Sequence, residues 1–202
     1  MVDQGLCRSS ALPELASACR LGHSDGPAGL TAGEVQGLAM VSIIARKGRR
    51  ADLLAAVLQN FGAALPTTPR RVAGDGIAFL WAGPGQWLAI ARLDEHTDLE
   101  RDLGAGIGTF ASLTDQGEGR TVIRVSGPAS RNVIATGVPL DLHPRAFRPG
   151  DVALAHANHI AVTFWQIDDA PTYEFAVARG YARCFWTWLR DSGARYGIDI
   201  VS

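Results

Sequence analysis

Two stretches, Leu88-Ala89-Ile90-Ala91-Arg92 and Phe175-Ala176-Val177-Ala178-Arg179, share an alternation of bulky and small apolar residues, end on arginine, and each precede a helical pattern. Such self-similarity constrains the fold strongly, because each copy must build a supersecondary unit of the same kind. The first copy opens on the strand pattern VSIIA from Val41. A helix follows over 49–61, with Leu54, Val57, Leu58 and Phe61 on one face and Gly62 as its C-terminal cap. IAFLW and QWLAIA are strands joined by Ala82-Gly83-Pro84-Gly85, and TDLERDL is a helix with Thr97 as its N-cap.

The second copy repeats that order. TVIRVS is a strand, Gly127-Pro128 opens a helix that Gly137 ends, and VALAH and HIAVTFW form a hairpin around Ala157-Asn158. TYEFAVAR is a further strand, and a last helix runs over 181–190, closed by Gly193. Gly48 and Gly127 each stand between a strand and a helix, and the second copy carries about eight further residues, assigned to its hairpin. Two β-α-β-β-α units predict an α+β fold, with two lobes of antiparallel sheet that carry helices on one face. The first lobe spans residues 39–108 and the second 109–202, whether as separate lobes or as one compact domain.

Residues 1–38 read as an N-terminal arm. Gly22, Gly26, Gly29, Gly33 and Gly37 punctuate a segment of weak periodicity, which has little apolar surface to offset its ordering entropy. It is either a frayed terminus or an arm that wraps a partner.

Composition narrows the function classes. Nineteen basic and 20 acidic residues give a formal net charge of −1, which offers no footprint for nucleic acid. The start lacks the profile of a secretory signal, and no run is long and apolar enough to span a bilayer. Cys7, Cys19 and Cys184 are an odd, scattered set that fits a reducing cytoplasm, and Cys184 is placed on an apolar helical face as a small hydrophobe.

The residues yield no catalytic, cofactor-binding or metal-binding set. His156 and His159 flank a two-residue turn and are read as a polar pair facing each other across it, short of the ligands that zinc needs. Asp168 and Asp169 precede Pro171 and read as turn chemistry. The glycines of 104–108 precede a strand, unlike a dinucleotide-binding loop, and are taken to end a helix. Interaction residues are easier to find. In the last helix Tyr181, Cys184, Phe185, Trp188 and Leu189 make an apolar face, while Arg183, Trp186 and Arg190 fall opposite. A tryptophan between two arginines is either an interface anchor or a surface ring covered by arginine stems. Trp81 and Trp87 flank a rigid Gly-Pro-Gly turn, which either staples the hairpin to the core or presents Trp87 to a partner. The candidate interface is therefore Trp81, Trp87, Arg183, Trp186 and Arg190.

Over about 40–200 the chain resembles the gamma subunits of heterotetrameric sarcosine oxidase. The motifs are Trp81-x-Gly83-Pro84-x-x-Trp87-Leu88, Asp115-Gln116 with Gly119-Arg120, and Ser126-Gly127-Pro128-Ala129. Pro139-Leu140-Asp141-Leu142-His143-Pro144, Phe147 and Gly150 follow, and then Ala178-Arg179-Gly180-Tyr181-Ala182 and Trp186-x-Trp188-Leu189. Gly117 and Gly180 stand where that family usually shows serine. The chain is also similar to the wider folate-binding aminomethyltransferase superfamily. Asn158-His159 replaces that superfamily's acidic doublet at the hairpin, and no cysteine motif of the iron–sulfur assembly relatives is present.

The resemblance implies a non-catalytic subunit in an alpha–beta–gamma–delta assembly that oxidises sarcosine to glycine. Hydrogen peroxide is formed, and the methyl carbon leaves as formaldehyde or methylene-tetrahydrofolate. FAD, FMN, NAD and tetrahydrofolate are then expected in the partner subunits, not in this chain. The alternatives are a free-standing folate-dependent one-carbon transfer protein, with a pocket near Asp115 or Asn158, and the equivalent subunit of another N-methyl amine oxidoreductase.

Overall fold

The computed structural model describes residues 10–201. In chain order its elements are β1 (Arg20–Leu21), β2 (Leu30–Glu34), β3 (Leu38–Ala45), α1 (Arg50–Phe61), β4 (Arg71–Ala73), β5 (Ile77–Gly83), β6 (Gln86–Arg92), α2 (Leu99–Ile107) and β7 (Ala111–Asp115). The second half follows with β8 (Arg120–Ser126), α3 (Ser130–Ile134), β9 (Val152–Ala157), β10 (Ile160–Asp168), β11 (Thr172–Ala178), α4 (Ala182–Gly193) and β12 (Ile198–Ile200). One sheet has five strands in the order β4-β5-β6-β3-β7, and the other has seven in the order β1-β12-β2-β8-β11-β10-β9. Every pairing is antiparallel except β2 with β12.

Period-2 alternation stacks these sheets. On β3, Ala39, Val41 and Ile43 face α1 and α2, where they meet Leu53, Val57, Leu99, Leu103 and Ile107. Met40 points the other way, and joins Leu80, Leu88 and Ile90 of its own sheet to Val122, Val152, Trp165 and Ala176 of the second. The far face of the seven-stranded sheet carries Ile123, Phe164 and Phe175 against α3 and α4. The result is four layers, helix–sheet–sheet–helix, with the apolar sheet–sheet layer at the centre.

The duplication is visible as spatial order: β4-β5-β6-β3 and β9-β10-β11-β8 are the same arrangement. The residue match drawn from sequence is one position out of register. Leu88 and Ile90 lie in the sheet–sheet layer, whereas Phe175 and Val177 face the helices. A single-residue slip exchanges the two faces of a strand, so similar spelling placed opposite surfaces together.

Five further expectations change. Within the described part of the arm, β2 is an interior strand between β12 and β8, and not a loose segment. Gly33 is required there, because a Cβ would lie 2.3 Å from the Val201 carbonyl oxygen. The carboxylate of Glu34 fastens what precedes it: it accepts from the Ser10 hydroxyl, the Ala11 N–H at 3.2 Å and the Thr121 hydroxyl at 2.5 Å. Strand β7, assigned to the second lobe by the boundary at 108, pairs with β3 in the five-stranded sheet. Helix α2 is capped by Asp98, not Thr97: its carboxylate accepts the Arg101 N–H at 3.0 Å. Gly104 and Gly106 lie inside α2, and only Gly108 ends it. Gly106 lets the helices approach, since a Cβ would stand 3.2 Å from the Phe61 ring. On α1 the buried positions are Leu53 and Val57, and Leu58 is exposed.

Candidate interaction cleft

The tryptophans and arginines proposed from sequence do not form one surface. Trp87 is 1% exposed, and its indole N–H donates to the Pro66 carbonyl at 2.7 Å, so it staples the hairpin and is not presented to a partner. Trp186 is 3% exposed and belongs to the core. The buried side of α4 is Ala182, Phe185, Trp186, Leu189 and Gly193, flanked by Trp188. Ala182 and Gly193 are both buried, and a Cβ at Gly193 would fall 2.8 Å from Ile198. A count of bulky side chains passed over those small residues and set the face too far round the helix. Tyr181 and Cys184 are exposed as a consequence, Tyr181 at 60%. Arg183 and Arg190 remain exposed, with Arg190 paired to the adjacent Asp191 at 2.8 Å.

His156 and His159 do not face each other. His156 lies opposite Ala161, whereas His159 is in the turn itself, at φ 73°, beside Asn158 at φ 45°. Both side chains are exposed, and among the described residues no group of three or more His, Cys, Asp and Glu is placed to hold a metal ion. Asp168 accepts the Ala170 N–H at 2.9 Å and closes its own turn. Asp115 does the same with the Gly117 N–H at 2.9 Å.

Trp81 is the candidate that stands in a concave place. It is half-buried at a cavity of about 740 Å³ where the two sheets meet edge to edge. Trp81 and Gly83 come from β5, and Val152, Ala153 and Leu154 from β9. The loop between α3 and β9 covers one side with Leu140, Ala146 and Phe147, the last stacked on Phe164 with ring centroids 5.3 Å apart. Arg70 and Asp151 form an ion pair at the rim, and their backbones make an isolated antiparallel bridge. Leu140 and Leu154 are 40% and 49% exposed, unusual for leucines in contact with one cavity. Two motifs far apart in sequence, around Trp81 and around Pro139–Phe147, thus converge on one apolar cleft. Leu140 and Leu154 were not among the expected interface residues, and an uncharged strand ending at a hairpin was the one signal available for Leu154.

A second cavity of about 420 Å³ opens at the sheet–sheet layer, lined among others by Trp165, Arg124 and Glu174. Arg124 donates to Glu174 Oε1 through Nε at 2.9 Å and Nη2 at 2.5 Å. The Trp165 indole N–H is buried there without an acceptor.

A model described as the sarcosine oxidase, gamma subunit family matches residues 47–195. The chain is 35% identical to the sarcosine oxidase subunit gamma of Corynebacterium sp. (strain P-1), over 86% of this chain and 87% of that one. It is 31% identical to that of an Arthrobacter species, over 100% of this chain and 98% of the other. Among solved structures it is similar to a chain of the heterotetrameric sarcosine oxidase from Corynebacterium sp. U-96, with a TM-score of 0.78 and 25% identity over 94% and 96% of the two chains. The glycine cleavage system aminomethyltransferase T of Bartonella henselae shares the fold, with a TM-score of 0.60 and 11% identity over 80% of this chain and 45% of that one. Matched across most of its length, the chain belongs to the sarcosine oxidase gamma subunit family.

Proposed function

We propose that this chain is a non-catalytic structural subunit of a heterotetrameric, flavin-dependent sarcosine oxidase, assembled with alpha, beta and delta subunits that hold FAD, FMN, NAD and tetrahydrofolate. The observation that carries the reading is the end-to-end likeness to gamma subunits, joined to the likeness of fold with a chain of a heterotetrameric sarcosine oxidase. The roles of the described side chains agree with a scaffold. Asp115 and Asp168 close turns, Glu34 ties the N-terminal segment to β8, and Arg70 meets Asp151. The apolar cleft is a surface to be covered, since exposed leucines around one hollow mark sites of association.

Co-expression with the three partner subunits tests this. One flavin-containing complex that includes this chain and oxidises sarcosine is expected, and its yield should collapse when the chain is omitted. The isolated chain should neither turn over sarcosine nor bind flavin. Titration calorimetry of the isolated chain with tetrahydrofolate separates this from a free-standing one-carbon transfer protein, for which tight binding is required. A complex that assembles and turns over fully without the chain overturns the proposal.

A further inference from the structure

Strand β9 is an edge without protection. Its six residues, Val-Ala-Leu-Ala-His-Ala, include no charged residue, proline or glycine. Soluble proteins guard such edges, because an open row of N–H and C=O groups pairs with any extended chain that reaches it. In the β9–β10 ladder every second residue turns its backbone groups away from β10. Val152 is one of these, and its N–H reaches the Pro69 carbonyl at 3.0 Å. The next two are Leu154 and His156, whose outward N–H and C=O groups have no partner among the described residues.

The protein begins to fill this edge itself and then stops. Arg71 N–H donates to the Gly150 carbonyl at 2.7 Å, beside the Arg70–Asp151 bridge. The chain then turns at Thr68, whose carbonyl accepts the Arg70 N–H at 2.6 Å, and Pro69 and Pro66 have no N–H to continue the row. Between Val152 and Asn158, whose N–H reaches the Gly137 carbonyl at 3.0 Å, the edge therefore lies open beside the cavity. Side chains follow the same division: Val152 is covered by the other sheet, and Leu154, on the same face two residues on, is not.

The geometry points to strand addition: β9 takes an extended, apolar segment of a partner subunit as a further strand of the seven-stranded sheet, with one large apolar side chain of that segment held among Trp81, Leu140, Phe147 and Leu154. This rests on the reading of the chain as a subunit. A polypeptide fits better than a small molecule, which fills the hollow but leaves the row of backbone groups unpaired. An apolar segment fits better than an acidic or phosphorylated one, since Arg70 is already neutralised by Asp151.

Hydrogen exchange on the chain alone and in the assembled complex gives the test. The Leu154 and His156 amides should exchange rapidly in the free chain and at least tenfold more slowly in the complex. Leu154→Pro removes an outward N–H and leaves the β10 ladder intact, so it should fold as the wild type does and assemble at least tenfold more weakly. If that variant fails to fold, Leu154→Lys keeps the N–H, adds a charge to the edge, and should weaken assembly likewise. A wild-type chain that never assembles overturns the subunit reading and this proposal together. Assembly with both amides unprotected and both variants unaffected overturns this proposal alone. Protection of the same amides in the isolated chain through self-association, or with an added small apolar ligand, also overturns it.

Discussion

The indole N–H of Trp87 and the carbonyl of Pro66 meet at 2.7 Å in a fully buried place, so each is the other's remedy for leaving water. Trp87→Phe keeps most of the ring and strands the carbonyl, for an expected loss of about 1–3 kcal/mol in urea unfolding. Tyr173 is a second buried residue with a predictable signature. Burial raises its pKa above the ordinary 10.0, and Arg131, which donates Nε–H to its hydroxyl at 3.1 Å, pulls less strongly the other way. The folded state keeps the phenol proton where the unfolded chain has lost it. Stability should therefore fall as pH rises from 10 through the raised folded value, and Tyr173→Phe should flatten that slope. Denaturation midpoints below and above pH 10 for both proteins check it. Some single residues could be read from sequence and others could not. The turn role of Asp168 needs only its own neighbours, whereas the burial of Trp186 depends on how closely Ala182 and Gly193 let α4 approach.

At the scale of elements, strands, helices and their order were legible because period and punctuation are local. Pro84-Gly85 between two apolar runs marks the turn between β5 and β6. Strand β2 was not legible, since its Gly33 reads as a breaker until the Val201 carbonyl is seen where a Cβ would be. Deleting residues up to Glu34 should abolish cooperative unfolding of the seven-stranded sheet, not merely trim a tail, and calorimetry would record the lost transition. Helix α4 meets a matching constraint in the turn after α3, where a Cβ at Gly137 would stand 2.6 Å from the Trp188 ring. Gly137→Ala should cost about 1–3 kcal/mol by overpacking, seen as a lowered Tm.

Across the whole molecule, the central layer joins apolar residues such as Met40, Leu80 and Val122, and at its margin Arg124 reaches Glu174. Arg124→Met leaves a carboxylate inside that layer and should destabilise by about 1–3 kcal/mol, less than for a fully buried pair because Arg124 is half-exposed. The double variant Arg124→Met/Glu174→Met should recover most of the loss in denaturant titrations. The cleft lay beyond sequence reading for a related reason. Trp81 and Phe147 were each conspicuous, but their meeting depends on how one sheet is set against the other. The pairing of β2 with β12 has a temporal consequence. A ribosome releases β2 long before β12 exists, while β3 to β7 form a contiguous sheet that can close during synthesis. The edge of β2 that takes β12 must therefore wait until translation has passed Ile200, long after its other edge can close on β8, and any nascent-chain chaperone that attends this protein would find its substrate there.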